Sequence, residues 1–482
     1  MSAAAQPPAQ AQAQATEPST PPWQAATPWP DRIVVTLEQD PESSFSVSWR
    51  TSAEVEQPRA EIVLAGDHSR IDIGAARVDA STERPDLTAK RVGDEEYPLR
   101  WNDHVAQPAY HSVTFTGLEP DTLYAYRVMG AEGHWSEWFQ TRTAPAAGTP
   151  FRFLYFGDAQ DGLSSHWPRV VRAAFAAAPD ARFAIHAGDL VNIGSRDFEW
   201  AAWFKSVGFI HGMIPALPLP GNHEYFDAIR AEDGSLIDGL SVLWRPQFAL
   251  PRAEGLPEAL SETVYTLRYG DTQVAALDTM GGHFEQQAAW LDRVLAESDA
   301  TWKVVTMHHP LFEMVERPYY DGTPERRDAL LPVLERHGVD IVLQGHDHSY
   351  GRGATWSGPR SPRAARRGEL GTVFVTSSSG AKMYGIAEDG WQRFDELGAV
   401  LERAAENTPF FQVVSIDGDT LTYEARTATG RLYDAFRLRR SDDGPNRLEE
   451  LPTEFDQERR FDNTAPYEST RFDTVPPLPQ GR

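Results

Sequence analysis

Between Asp31 and Thr143, apolar residues recur at alternate positions in short runs. Ile33, Val35 and Leu37 form one such run, and Phe45, Val47 and Trp49 another; His111, Val113 and Phe115 follow, then Tyr124, Tyr126 and Val128. A period of two puts successive side chains on opposite faces of an extended strand, and the Pro, Gly and Asp between the runs supply turns. The pattern predicts an all-β sandwich over 31–143. Ala144 to Pro150, small residues with two Pro and a Gly, reads as a linker.

Beyond the linker the period changes, and strand-like runs alternate with helical ones. Phe151–Phe156, Phe183–His186, Lys303–Met307, Asp340–Gln344 and Thr372–Ser377 are strand candidates. Trp167–Ala178, Asp197–Val207, Gln286–Glu297 and Arg326–His337 carry the helical spacing. Thr263–Tyr269 with Gln273–Leu277, and Phe411–Ile416 with Thr420–Arg426 around Asp417-Gly418-Asp419, read as antiparallel pairs. Such alternation means a layered α/β domain, an α/β/α-type sandwich over 151–438. The stretch 439–482 is polar, Pro-punctuated and without period, and reads as an extended tail.

Composition narrows the function classes. Apolar residues make up 41% of the 482, with 14 Trp and 23 Phe, ample for a large core. The net charge of −25 argues against nucleic acid or an anionic membrane surface as the main partner. No cysteine occurs, which excludes disulfides, thiolate catalysis and Cys-ligated zinc. Lysine is confined to positions 90, 205, 303 and 382, the other basic residues being Arg. No apolar run reaches the ~20 residues of a membrane span. Residues 1–30 read as a disordered arm, and Met1 to Trp23 lack the basic and apolar regions of a complete signal peptide.

Candidate chemistry sits just after the predicted strands, where open α/β sheets carry their ligand loops. Five clusters stand out: Gly157-Asp158-Ala159-Gln160, Gly188-Asp189-Leu190, Gly221-Asn222-His223-Glu224, His308-His309-Pro310 and Gly345-His346-Asp347-His348. Any one alone is most often a turn or a solvated pair. Together and in order they supply two carboxylates, an amide oxygen and three imidazoles, a mixed N/O set suited to Zn, Fe or Mn. A carboxylate can bridge two ions where an imidazole cannot. The glycines let the chain turn sharply off a strand end.

This ordered set resembles the calcineurin-like metallophosphoesterase superfamily. Glu262-Thr263-Val264-Tyr265, Leu277-Asp278-Thr279 and Gly345-His346-Asp347-His348-Ser349-Tyr350-Gly351-Arg352 extend the likeness. Gly117 to Val128 is similar to the E–F corner of fibronectin type III domains, and the combination resembles the purple acid phosphatase branch and its bacterial relatives. The resemblance implies two divalent or mixed-valence metal ions. Asp158 and His348 would hold the first, Asn222, His308 and His346 the second, with Asp189 bridging. It also implies that His223 contacts the phosphoryl group and helps protonate the leaving group, with a lesser catalytic part for His309. Two positions depart from the pattern. Asn192 stands where purple members carry a Tyr, and Gln160 where phosphodiesterase-type members carry a His. Either amide is a candidate oxygen ligand for the first metal, and no purple colour is expected.

The expected activity is acid-phosphatase-like hydrolysis of a small phosphomonoester by an activated water, without a covalent enzyme intermediate. A phosphodiesterase of the same superfamily, or a binding protein with a degenerate hydrolase domain, is the alternative. Tyr350 and Arg352 are candidate substrate contacts. His186, on a strand, is expected to pack beneath the metal loop, whereas His104, His166 and His283 could line the cleft. A secreted or periplasmic location fits the family.

Overall fold

In the computed structural model, residues 24–85, 107–225, 229–230, 236–237, 239–315, 323–357, 368–441 and 444–460 are described. Most of the expected arm (1–23), His104 and residues 461–482 of the expected tail lie outside them.

The N-terminal sandwich forms as the period-two pattern requires. One face is a four-stranded sheet in the order Ala76–Asp79, Arg59–Leu64, Leu123–Met129, Phe139–Arg142. The other comprises Asp31–Leu37, Phe45–Ser52, Pro108–Phe115 and Ser81–Glu83. Val35, Val47, Trp49, Val113, Tyr126 and Val128 fill the space between. At the expected corner, the Glu119 N–H donates to the Tyr124 hydroxyl at 2.9 Å, which ties the strand start to its own approach loop.

The second region has two sheets packed face to face, with helices outside. In the seven-stranded sheet, Tyr265–Tyr269 pairs antiparallel with Thr272–Leu277, which is followed by parallel Trp302–Met307, Ile341–Gln344 and Glu369–Thr376; Tyr350–Ser357 and Ala399–Ala405 complete it. Alternation sorts its residues. Val274, Val304, Leu343 and Val375 join the central core shared with the other sheet, while Leu277, Val305, Val342 and Phe374 pack under the helices Phe284–Glu297 and Thr323–Arg336. The facing sheet holds parallel Phe151–Phe156, Ala184–Ala187 and Ala216–Leu219, covered by Trp167–Ala177 and Asp197–Val207. No helix among the described residues is long and apolar enough to cross a membrane.

Two features differ from expectation. Asp31–Leu37 pairs in parallel with Ala216–Leu219 at Thr36 and Ala216, so the N-terminal sandwich and the second region share one continuous eleven-stranded sheet. Part of the expected extended tail is also built into this sheet: Gly444–Glu450 is a strand, paired antiparallel with Leu432–Ser441. It lacks apolar period because it is an edge, where charge rather than burial is the rule. Arg437 and Arg439 reach its Glu449 at 3.2 and 3.4 Å.

Candidate metal centre

The parallel strands of both sheets end at the same place. Phe151–Phe156, Ala184–Ala187 and Ala216–Leu219 deliver Asp158, Asp189 and Asn222; Trp302–Met307 and Ile341–Gln344 deliver His308, His346 and His348. The turns that aim these side chains are strained. Asp158, Asp189, His346 and His348 have φ of 22°, 53°, 73° and 49°, the left-handed region that L side chains avoid and that concentrates at functional sites. Two glycines are needed for close approach. A Cβ on Gly221 would collide with the Asp189 carboxylate, and one on Gly345 would lie 2.6 Å from Asp158 Oδ2 and 2.8 Å from the Ala187 carbonyl.

The side chains converge in two groups. Asn222 Oδ1 lies 3.1 Å from His308 Nε2 and 2.9 Å from His346 Nδ1, and those two nitrogens are 3.2 Å apart. In the other group His348 Nε2 stands 3.7 Å from Asp158 Oδ1 and 3.0 Å from Gln160 Nε2. Asp189 reaches both, its Oδ2 accepting from Gln160 Nε2 at 2.7 Å and lying 3.3 Å from His308 Nε2. The far ring nitrogens are fixed by carbonyls: His308 Nδ1 by Ala187 at 2.8 Å, His348 Nδ1 by Lys382 at 2.8 Å. Such bonds set the tautomer and leave the inward nitrogens free to ligate.

The donor set fits metal ions. Asp158 Oδ1 and Gln160 Oε1 are buried without a hydrogen-bond partner among the described residues, a costly state unless a cation faces them. Burial pushes the Asp158 carboxyl well above its ordinary range. Burial acts the same way on Asp189, but the positive potential of His308 and His223 more than reverses it and holds that carboxyl well below. Burial would lower His308, yet Asp189 and Asp158 raise it to about 9. The amide of Gln160 can be turned over without changing its shape, which would present Oε1 inward.

The remaining candidates divide. His223 is half-buried, its Nδ1 donating to the Asn192 carbonyl at 2.5 Å and its Nε2 3.8 Å from Asp189 Oδ2. Asn192 thus enters through its backbone. His309 bonds Thr279 Oγ1 through Nδ1 at 2.8 Å and lies against His346, ring centroids 4.1 Å apart. His186 packs among Phe156, Trp203 and His211, its imidazole pushed down to about 3 by burial. His166 bonds Ser165, and His283 precedes the helix Phe284–Glu297. Tyr350 and Arg352 must be corrected. Both are buried away from the cluster, the Tyr350 hydroxyl on Asp434 at 2.6 Å and Arg352 paired with Asp434, Glu402 and Glu450 at 2.9, 2.6 and 2.9 Å. A strand continues from the last motif, so side chains two and four residues past His348 are carried into the sheet rather than the cleft.

Two residues with clear roles carried no signal of their own. Glu224 accepts the backbone N–H groups of Asp189, Leu190, Val191 and Gly221 at 2.9, 2.9, 3.2 and 2.7 Å, clamping two ligand loops together. Burial, with Asp189 adding to it, raises its carboxyl to about 8. Lys382 holds His348 through its carbonyl and places its ammonium at His223.

Comparison with known proteins bears on the family and the fold. Residues 30–143 match the family described as purple acid phosphatase, N-terminal domain, and residues 151–350 match calcineurin-like phosphoesterase. The chain is 23% identical over 364 residues to purple acid phosphatase 18 of Arabidopsis thaliana, covering 72% of this chain and 76% of that one. An uncharacterized protein of Mycobacterium tuberculosis is 27% identical over 286 residues, 51% of this chain and 52% of that protein, so the chain spans about half its length. Among solved structures, the purple acid phosphatase PPD1 of yellow lupin (Lupinus luteus) seeds superposes with a TM-score of 0.67 at 18% identity, covering 86% of this chain and 75% of the other. That likeness is one of fold.

Proposed function

We propose, for a chain that belongs to the calcineurin-like phosphoesterases and carries a purple acid phosphatase N-terminal domain, a dinuclear metal centre that hydrolyses phosphomonoesters. The observation that carries the reading is Asp189, whose one carboxylate touches both donor groups. Asp158, His348 and Gln160 would hold one ion, Asn222, His308 and His346 the other. When bound, such a pair acidifies water and screens phosphoryl charge. The chain's own residues do the rest. Glu224 fixes the loops of Asp189 and Asn222, His223 can serve the phosphoryl and leaving-group oxygens once Nε2 has taken up a proton, and His309 steadies His346. Asn192, in place of a phenolate, gives the centre no source of purple colour. A secreted or periplasmic site of action is part of the same proposal.

Elemental analysis with an ester panel tests it. Purified protein is expected to hold about two ions per chain, to lose p-nitrophenyl phosphate hydrolysis on chelation and to regain it on add-back of Zn, Mn or Fe. Turnover that survives complete metal removal overturns the reading. Metal-loaded protein inert to every ester would favour a binding role, and preference for diesters the phosphodiesterase alternative.

A second expectation concerns protons. His308 keeps its proton until about pH 9 and must release it before Nε2 can ligate. Titrating metal-free protein with Zn²⁺ at neutral pH should therefore liberate roughly one proton from this side chain. Apparent affinity should climb with pH until the His308 titration is passed. Calorimetry in buffers of different ionisation enthalpy reads the proton count, and a count of zero removes His308 from the ligand set.

A further inference from the structure

Lys382 is one of four lysines in a chain of net charge −25, and it sits half-buried beside the candidate centre. Its Nζ donates to His223 Nε2 at 3.3 Å. That direction is set by the other face of the ring: His223 Nδ1 gives its proton to the Asn192 carbonyl, so Nε2 carries a lone pair. The ammonium also lies 5.7 Å from the centre of the Tyr384 ring. Among the described residues no carboxylate comes within salt-bridge reach of it. An ammonium in an acidic protein ordinarily finds such a partner when withdrawn from water. This one is directed instead at the histidine that faces Asp189, the carboxylate shared by both donor groups.

From this arrangement, and resting on the phosphoesterase reading above, we infer that Lys382 is a ligand for a terminal phosphoryl oxygen of the substrate and selects dianionic monoesters over monoanionic diesters. A bound monoester presents three terminal oxygens and two negative charges, a diester two oxygens and one charge. A cation at Nζ adds a charge-assisted contact that the monoester can fill. On binding, the ammonium exchanges its weak bond to His223 for the phosphoryl oxygen, and the freed Nε2 lone pair can take up a proton from water to pass to the leaving-group oxygen. Because His348 is held by the main-chain carbonyl of Lys382, changing the side chain removes the ammonium and leaves that bond in place.

The test uses metal-loaded full-length protein, with inorganic phosphate as the probe. Lys382→Gln is expected to weaken phosphate binding in calorimetry by about 10-fold or more, and to lower kcat/KM for p-nitrophenyl phosphate by about 10–100-fold. Hydrolysis of bis(p-nitrophenyl) phosphate should stay within about threefold. Lys382→Arg should recover phosphate affinity. Lys382→Met, which keeps the aliphatic stem, should match Gln; a loss in Gln that Met does not share is a packing effect and overturns the assignment. So does phosphate affinity unchanged in both, or an equal loss on mono- and diester. Wild-type protein that binds phosphate through Lys382 but cleaves neither ester would sink the hydrolase reading while leaving this anion contact standing.

Discussion

Asp189→Asn is expected to lower kcat for p-nitrophenyl phosphate by about 10³-fold or more, equivalent to about 4 kcal/mol of transition-state stabilisation. The substitution is chosen because it isolates charge. Asp189 has a φ of 53°, and Asn is among the few side chains that tolerate that backbone. Its Oδ1 could still accept the His223 N–H, now at 2.9 Å. The new amide would meet the Gln160 amide donor, but Gln160 Oε1 has no partner among the described residues, so a half-turn of that side chain restores a hydrogen bond. The fold survives while the one anionic group common to both donor sets is gone. His308 also loses the carboxylate that does most to raise it, so its proton should leave at a lower pH in the metal-free variant. Steady-state kinetics with elemental analysis reads the result. Near-normal metal content and turnover in Asp189→Asn would rule out a bridging role for this residue.

How far these elements were legible follows from burial and period. The helices Trp167–Ala177, Asp197–Val207, Phe284–Glu297 and Thr323–Arg336 fall within a turn of their sequence-derived ranges, Asp197–Val207 being buried nearly all round. Among the strands that escaped, three show why. Ala216–Leu219 contains Pro218, which argues against an interior strand. The structure accommodates it because Asp31–Leu37 pairs with this strand only at Ala216, beyond which no ladder bond is required on that side. Tyr350–Ser357 contains Gly351, Gly353 and the charged Arg352, so neither period nor propensity marks it. Gly353 is there because Trp391 and the Val400 carbonyl occupy the place of a Cβ, a tertiary fact. Gly444–Glu450 is an edge strand, held by its backbone ladder with Leu432–Ser441 and by the ion pairs of Glu449 with Arg437 and Arg439.

The candidate centre was more legible than the sheet that carries it. Ligand chemistry needs particular residue types at strand ends, and Asp158, Asp189, Asn222, His308, His346 and His348 announce themselves by that coincidence. Their supports do not. Glu224 acts on four main-chain N–H groups, which any sequence supplies, and Lys382 reaches His223 across 159 positions of chain. Arg352 misled for the complementary reason: an arginine beside a metal motif has the same spelling whether it meets phosphate or three carboxylates.

The second large effect is expected away from the metals. Asp197→Asn should cost about 3–5 kcal/mol of stability, the range for breaking a buried ion pair. Asp197 is the first residue of the helix Asp197–Val207, and its side chain meets Arg32 at 2.8 Å and Arg50 at 3.1 Å, all three essentially inaccessible to water. Both arginines belong to the N-terminal sandwich. Burial alone would raise the Asp197 carboxyl, and the two guanidinium charges more than reverse this, holding it below its ordinary range. Its stabilisation is therefore fully present above the unfolded value of about 3.9 and is lost as pH falls through the lower folded value. The gap between wild type and variant should be constant from pH 6 to 8 and close only in acid. The clamp also bears on the site. Two residues on, Glu199 accepts the N–H groups of Asn192 and Ile193 at 2.7 and 2.9 Å, and the Asn192 carbonyl in turn orients His223. The sandwich thus orients His223, the histidine proposed to serve the leaving group, through one helix N-terminus, and kcat should fall along with the urea midpoint. A variant within about 1 kcal/mol of wild type would mean that Arg32 and Arg50 reach water or other partners once the charge is removed, and that the two regions are held together by the shared sheet alone.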